Sequence, residues 1–173
     1  MDMRYLDKAI FLGLIFAILS FGTMVEVAAQ DISRLAGGNP KSPIAEAVTV
    51  PPGYTTYYIS GTPPRAADPT APLGSPQRMG DTHQQTASSL ARIKDILTRL
   101  GLTFADVVKA TVFLVGDPAK GGEIDFAGMN QAWSDQFGSP QQPNKPARST
   151  IKVAGLAGQG ALVEIEMIAA KRN

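Results

Sequence analysis

Three charged residues near the C-terminal end have the types and spacing for chemistry on a small anion: Arg148, Glu164 and Glu166. Arg148 follows Pro146-Ala147 at the mouth of the run Arg148-Ser149-Thr150-Ile151-Lys152-Val153. A planar guanidinium grips a carboxylate through two parallel hydrogen bonds, which a lysine cannot do. Glu164 and Glu166 alternate with Val163, Ile165 and Met167. In an extended strand this places both carboxylates on one face, about 7 Å apart, and the apolar residues on the other. Two such acids repel unless water or a cation separates them. The same residues also suit plainer duties: an arginine at a strand start is commonly a surface or subunit-contact residue, and alternating acids commonly face solvent.

Both runs are rich in β-branched residues, and the glycines between 155 and 160 turn the chain from one strand to the next. Upstream, Ile44–Val50 and Tyr54–Ser60 read as strands separated by Pro51-Pro52-Gly53. Residues 62–80 hold several prolines and predict a long loop without helix, a lid or a subunit contact. A helix is expected from Asp81 or Thr82 to Gly101, with Thr82 and Gln85 as a capping box. Its apolar stripe is Ala87, Leu90, Ile93, Ile96, Leu97 and Leu100. Val107–Val115 reads as a central strand. Ile124–Phe137 reads as a second helix whose Phe126, Met129, Trp133 and Phe137 form a core stripe. Strand, strand, helix, strand, helix, strand, strand is an α+β order, with the helices on one face of a mixed sheet.

At the N-terminus, Arg4 and Lys8 precede an apolar core from Ala9 to Gly22, and Val27-Ala28-Ala29 supplies small residues. Residues 1–29 are therefore expected to be a signal peptide cut after Ala29, giving a periplasmic or secreted protein with no stable membrane contact after cleavage. The rival is an uncleaved anchor, which the short core and Glu26 disfavour. Residues 30–43 are expected to be a flexible leader, and residues 44–173 a single domain. The sequence has no cysteine and one histidine, His83. That excludes disulfides, thiolate nucleophiles and zinc fingers, and it gives a Ser/His/Asp triad little support. A net charge of +1 without a basic block points away from nucleic acid.

Pro146-Ala-Arg-Ser-Thr-Ile-x-Val153, Ala154-Gly-Leu156 and Val163-Glu-Ile-Glu-x-Ile-Ala169 resemble the signature of the Rid (reactive intermediate deaminase, YjgF) family. The resemblance extends to Ile59-Ser-Gly61, Asp106-Val-Val-Lys-Ala-Thr-Val-Phe-Leu114 and Phe126…Met129-Asn130…Trp133…Phe137. It implies a chorismate-mutase-like fold, a homotrimer with ligand clefts between subunits, and no metal or cofactor. Its best-known activity is hydrolysis of 2-imino or 2-enamino acids to 2-keto acids and ammonia. Carried over, Arg148 would clamp the substrate carboxylate, and the Thr150 N–H would meet it where many members have cysteine. The Gly61 carbonyl would accept from the imine nitrogen, and Glu164 would hold or activate water. The family's deaminases carry a tyrosine at a place that falls near Ala47, where this chain reads Glu46-Ala47-Val48. The alternatives are a non-catalytic trimer binding small carboxylates and, weakest, an RNA-cleaving role. The apolar face of Val163, Ile165 and Met167 is expected at the subunit contact.

Overall fold

A computed structural model describes residues 30–173; the expected signal peptide lies outside the described residues. Six strands are described: β1 (Ser33–Ala36), β2 (Ala45–Thr49), β3 (Tyr54–Thr62), β4 (Val107–Leu114), β5 (Ala147–Lys152) and β6 (Val163–Arg172). They form one mixed sheet in the order β1-β2-β5-β4-β6-β3. β5 runs parallel to both β2 and β4, and the remaining pairs are antiparallel. The helices α2 (Thr82–Arg99) and α3 (Phe126–Ser134) pack on each other, α2 also packing against β6 and β3. The α+β architecture with two helices on one face is the one the element order implies.

Strand alternation decides what those helices cover. Val107, Ala110, Val112 and Leu114 of β4 are buried together with Val163, Ile165, Met167 and Ala169 of β6. Leu90, Ile93 and Leu97 of α2 complete this core at three- and four-residue spacing. Burying each such side chain contributes about 2 kcal/mol. The expected placement of Val163, Ile165 and Met167 at a subunit contact is therefore corrected: that face is already spent inside the chain's own core. The opposite face of the sheet, with Tyr58, Thr111, Phe113, Ile151, Ile168 and the two glutamates, carries no helix among the described residues, and Tyr58 is 80% exposed.

The segment 30–43, expected to be a flexible leader, contributes the edge strand β1. The Arg34 guanidinium donates to the carbonyls of Ala105 and Val107, tying that edge to the start of β4. The loop 62–80 is not wholly without helix: Ser75 caps the single turn α1 (Pro76–Met79). Arg78 holds the loop together by donating to the carbonyls of Pro69 and Ala71. The capping box of α2 is shifted by one residue. Asp81 accepts from the Gln84 N–H, and the Gln84 side chain accepts from the Asp81 N–H. Gln85 is buried instead. Its side-chain amide donates to Gly80 and Gly160 and accepts from the Leu162 N–H, joining α2 to the turn before β6. The second helix ends earlier than Phe137, although Phe137 still stacks on Trp133, ring centroids 4.4 Å apart.

Candidate functional site

Register fixes the direction of each site residue. Arg148 sits beside Ala110 and Thr150 beside Val112, both of which are core positions, so Arg148 and Thr150 point to the helix face. There α3 receives the guanidinium. Arg148 Nη2 donates to Asn130 Oδ1 at 2.6 Å, and Nη1 lies 3.6 Å from Met129 Sδ. The guanidinium carbon stands 4.7 Å from the centroid of the Trp133 ring and 5.9 Å from that of Phe126. Trp133 is rigid because it is fully buried and its indole N–H donates to the Pro43 carbonyl. Aromatic faces attract a cation, and an indole does so best.

Among the described residues no carboxylate pairs with Arg148. Its Nε and the Thr150 hydroxyl are both buried without a hydrogen-bond partner. Burial pushes the guanidinium pKa down to about 10, since no anion offsets the lost hydration. Two orphaned polar groups two residues apart on one strand face, beside an unpaired cation, form the half of a site that an anion would complete.

Gly61 and Glu164 lie against each other elsewhere on the sheet. Ile59 pairs with Met167 and Thr62 with Ile165, so Ser60 and Gly61 form a bulge opposite Glu166. A Cβ on Gly61 would run into Glu164 Oε1 and come within 3.0 Å of Cδ. The glycine lets the Glu164 carboxylate lie against the backbone, and a side chain here would push that flexible carboxylate aside. Glu164 pairs with Phe113 and Glu166 with Thr111, so both carboxylates share the open face, as the alternation implies. A shallow cavity of about 210 Å³ on this face is lined by Tyr58, Ser60, Lys109, Thr111 and Glu166. Lys109 is occupied there, donating to the Ser149 hydroxyl at 2.9 Å.

The four expected site residues thus divide into two pairs. Arg148 and Thr150 face the helices; Gly61 and Glu164 face away from them. The sheet lies between the pairs, so one chain does not bring them together. Ala47 stands opposite Leu35 in the β1–β2 pair, on the strand that runs parallel beside β5. Asn130, Trp133 and Phe126 surround the guanidinium; the sequence pattern marks Trp133 and Phe126 only as core stripe, and Asn130 only as part of the family motif. The signal that could have separated Phe126 is its position at the helix start, where it is 46% exposed while Met129 and Trp133 are fully buried.

The family model described as Endoribonuclease L-PSP matches residues 40–171. A RutC family protein of Haemophilus influenzae is 41% identical over 92 residues, covering 53% of this chain and 65% of that protein. This chain therefore spans just under two thirds of that relative's length. The crystal structure of Escherichia coli TdcF with bound serine is 28% identical and covers 83% of this chain and 99% of that one, with a TM-score of 0.53. The Rid family protein YyfB of Yersinia pestis, at 24% identity, shares the fold with a TM-score of 0.59. The arrangement of the sheet, the terminal motifs and these likenesses agree: this chain belongs to the YjgF/Rid family.

Proposed function

We propose that this protein hydrolyses 2-imino or 2-enamino acids to 2-keto acids and ammonia, in a homotrimer whose clefts join two copies. The observation that carries the proposal is the half-buried Arg148 guanidinium, which pairs with no carboxylate among the described residues. A substrate carboxylate would supply the missing anion and meet Nε, one of the orphaned donors. Serine in TdcF is a ligand of the same size and charge class.

The chemistry then follows from the second half-site, supplied by a neighbouring copy. Glu164 accepts a proton from water as the water attacks the imine carbon, giving a tetrahedral carbinolamine. The Gly61 carbonyl accepts a hydrogen bond from the nitrogen and keeps it protonated and directed away from the attack. In the collapse Glu164 returns its proton to the nitrogen, the carbon–nitrogen bond breaks to release ammonia, and the hydroxyl proton passes to Glu164 or water as the keto carbonyl forms. Arg148 holds the carboxylate throughout and takes no part in proton transfer. In this reading the open face of one copy, with exposed Tyr58 and Ile151, meets the Arg148 side of the next.

The test is release of ammonia and keto acid from freshly generated imino acids, with wild type beside Arg148→Ala. Turnover by wild type and a loss of at least tenfold in the variant are expected. Carboxylate binding without turnover would favour the non-catalytic binder instead. Export is proposed with it, on the apolar core and small-residue site of residues 1–29. Mass spectrometry of the protein from its host should give an N-terminus at Gln30, and a full-length chain in the inner membrane would refute export.

A further inference from the structure

The long loop 62–80 builds a second cavity, remote in chemistry from the anion site. The segment 74–80 packs against the turn before β6, where a Cβ on Gly160 would come within 3.0 Å of Met79 and 3.3 Å of Gly74. Between this loop, the start of α2 and the 3-10 turn Pro118–Lys120 lies a cavity of about 350 Å³. Pro76, Met79, Pro118, Ala119 and Leu162 give it apolar walls. That size is at the lower end of small-molecule sites.

Its charge is one-sided. Asp81 and Asp117 line the cavity, and no lysine or arginine among the described residues does. Asp81 is exposed and caps α2, which accounts for it. Asp117 is different, being only 5% exposed. Its Oδ1 accepts from the Ala119 N–H at 2.9 Å and so caps the 3-10 turn. An asparagine or serine would serve that cap equally well. No cationic side chain among the described residues pairs with Asp117. Lys120, the nearest cation in sequence, is turned to Asp125 at 3.3 Å. A carboxylate this buried is costly unless a positive group meets it.

We infer that this cavity is a second binding site, for a small primary ammonium ion carrying a short apolar body. The ammonium meets the Asp117 carboxylate and the hydrocarbon lies against Met79, Pro118 and Leu162. The site is separate from the one occupied by a carboxylate at Arg148, so either reading can fail without the other.

The probe is n-butylammonium chloride, titrated into the full protein and followed by amide chemical shifts at Ala119 and Gly160, with n-butanol and butyrate as controls. Saturable binding of the ammonium is expected, at least tenfold tighter than the alcohol, with no binding of butyrate at these amides. Asp117→Asn keeps the cap acceptor and should weaken the amine at least tenfold. Ala119→Trp fills the cavity without removing the carboxylate and should abolish binding, which keeps the test decisive if Asp117→Asn fails to fold. Both variants should bind 2-keto acids as wild type does. Binding of the amine within twofold of wild type in either variant, or equal binding of butanol, overturns the site.

Discussion

Replacing Arg148 by methionine should stabilise the protein while destroying carboxylate binding. The guanidinium sits in a partly dry setting, paired with no carboxylate among the described residues, and burial has lowered its pKa from the ordinary arginine value to about 10. At about 1.4 kcal/mol for each pH unit, that drop caps the cost of holding the charged form at about 3 kcal/mol. Water still reaches part of the group and screens it, and the Trp133 ring and Asn130 oppose the cost. Roughly 1 kcal/mol is the net gain expected from an apolar side chain of similar length. For a domain of this size that raises Tm by about 3 °C. Differential scanning calorimetry should show the rise, and addition of a 2-keto acid should raise Tm further in wild type but not in Arg148→Met. The sign of the pH effect follows. A depressed cationic pKa means the unfolded chain binds more protons above pH 10, so wild type gains stability relative to the variant between about pH 10 and the ordinary arginine pKa. A variant that melts lower than wild type, or that still responds to keto acids, would refute the account of Arg148 as an unpaired, waiting cation.

Arg148→Lys should weaken keto-acid binding by roughly ten- to a hundredfold, because the charge stays but the fork is lost; Glu164→Gln should lower kcat while leaving that binding within about twofold. Equal behaviour of these two variants in kinetics and calorimetry would remove the division of labour. Gly61→Ala should fold, since its new methyl meets the flexible end of Glu164, yet it should lower kcat by displacing that carboxylate; unchanged kcat would separate Glu164 from the chemistry. Light scattering should give three times the monomer mass at micromolar concentration, and a clean monomer would refute the shared cleft.

The main elements were legible because their periods are strong. Leu90, Ile93 and Leu97 recur at helical spacing, and Val163 to Met167 alternate with acids. Strand β1 was not legible: four residues at a sheet edge owe their conformation to pairing with β2 and to the Arg34 contacts, neither of which leaves a local pattern. Gln84 and Gln85 are adjacent glutamines, and only the packing of α2 against the 158–162 turn selects which one caps and which is buried. The site residues could be named singly, but not how they divide. Alternation says that Glu164 opposes Ile165; it does not say which side the helices will take. That choice is made by the register of β4 with β5 and β6, and it sends Arg148 and Glu164 in opposite directions.

This opposition has a genetic consequence. If each cleft takes its arginine from one copy and its glutamate from the next, two inactive alleles can repair one another. Co-expressed Arg148→Ala and Glu164→Gln chains form mixed rings, and going round any such ring there is a single junction where an intact arginine meets an intact glutamate. Each mixed ring therefore regains one working cleft, while rings of either mutant alone have none. Activity restored by mixing two dead proteins, and lost again when both substitutions are placed on one chain, would be the signature of a catalyst whose two halves are never encoded at the same cleft by the same molecule.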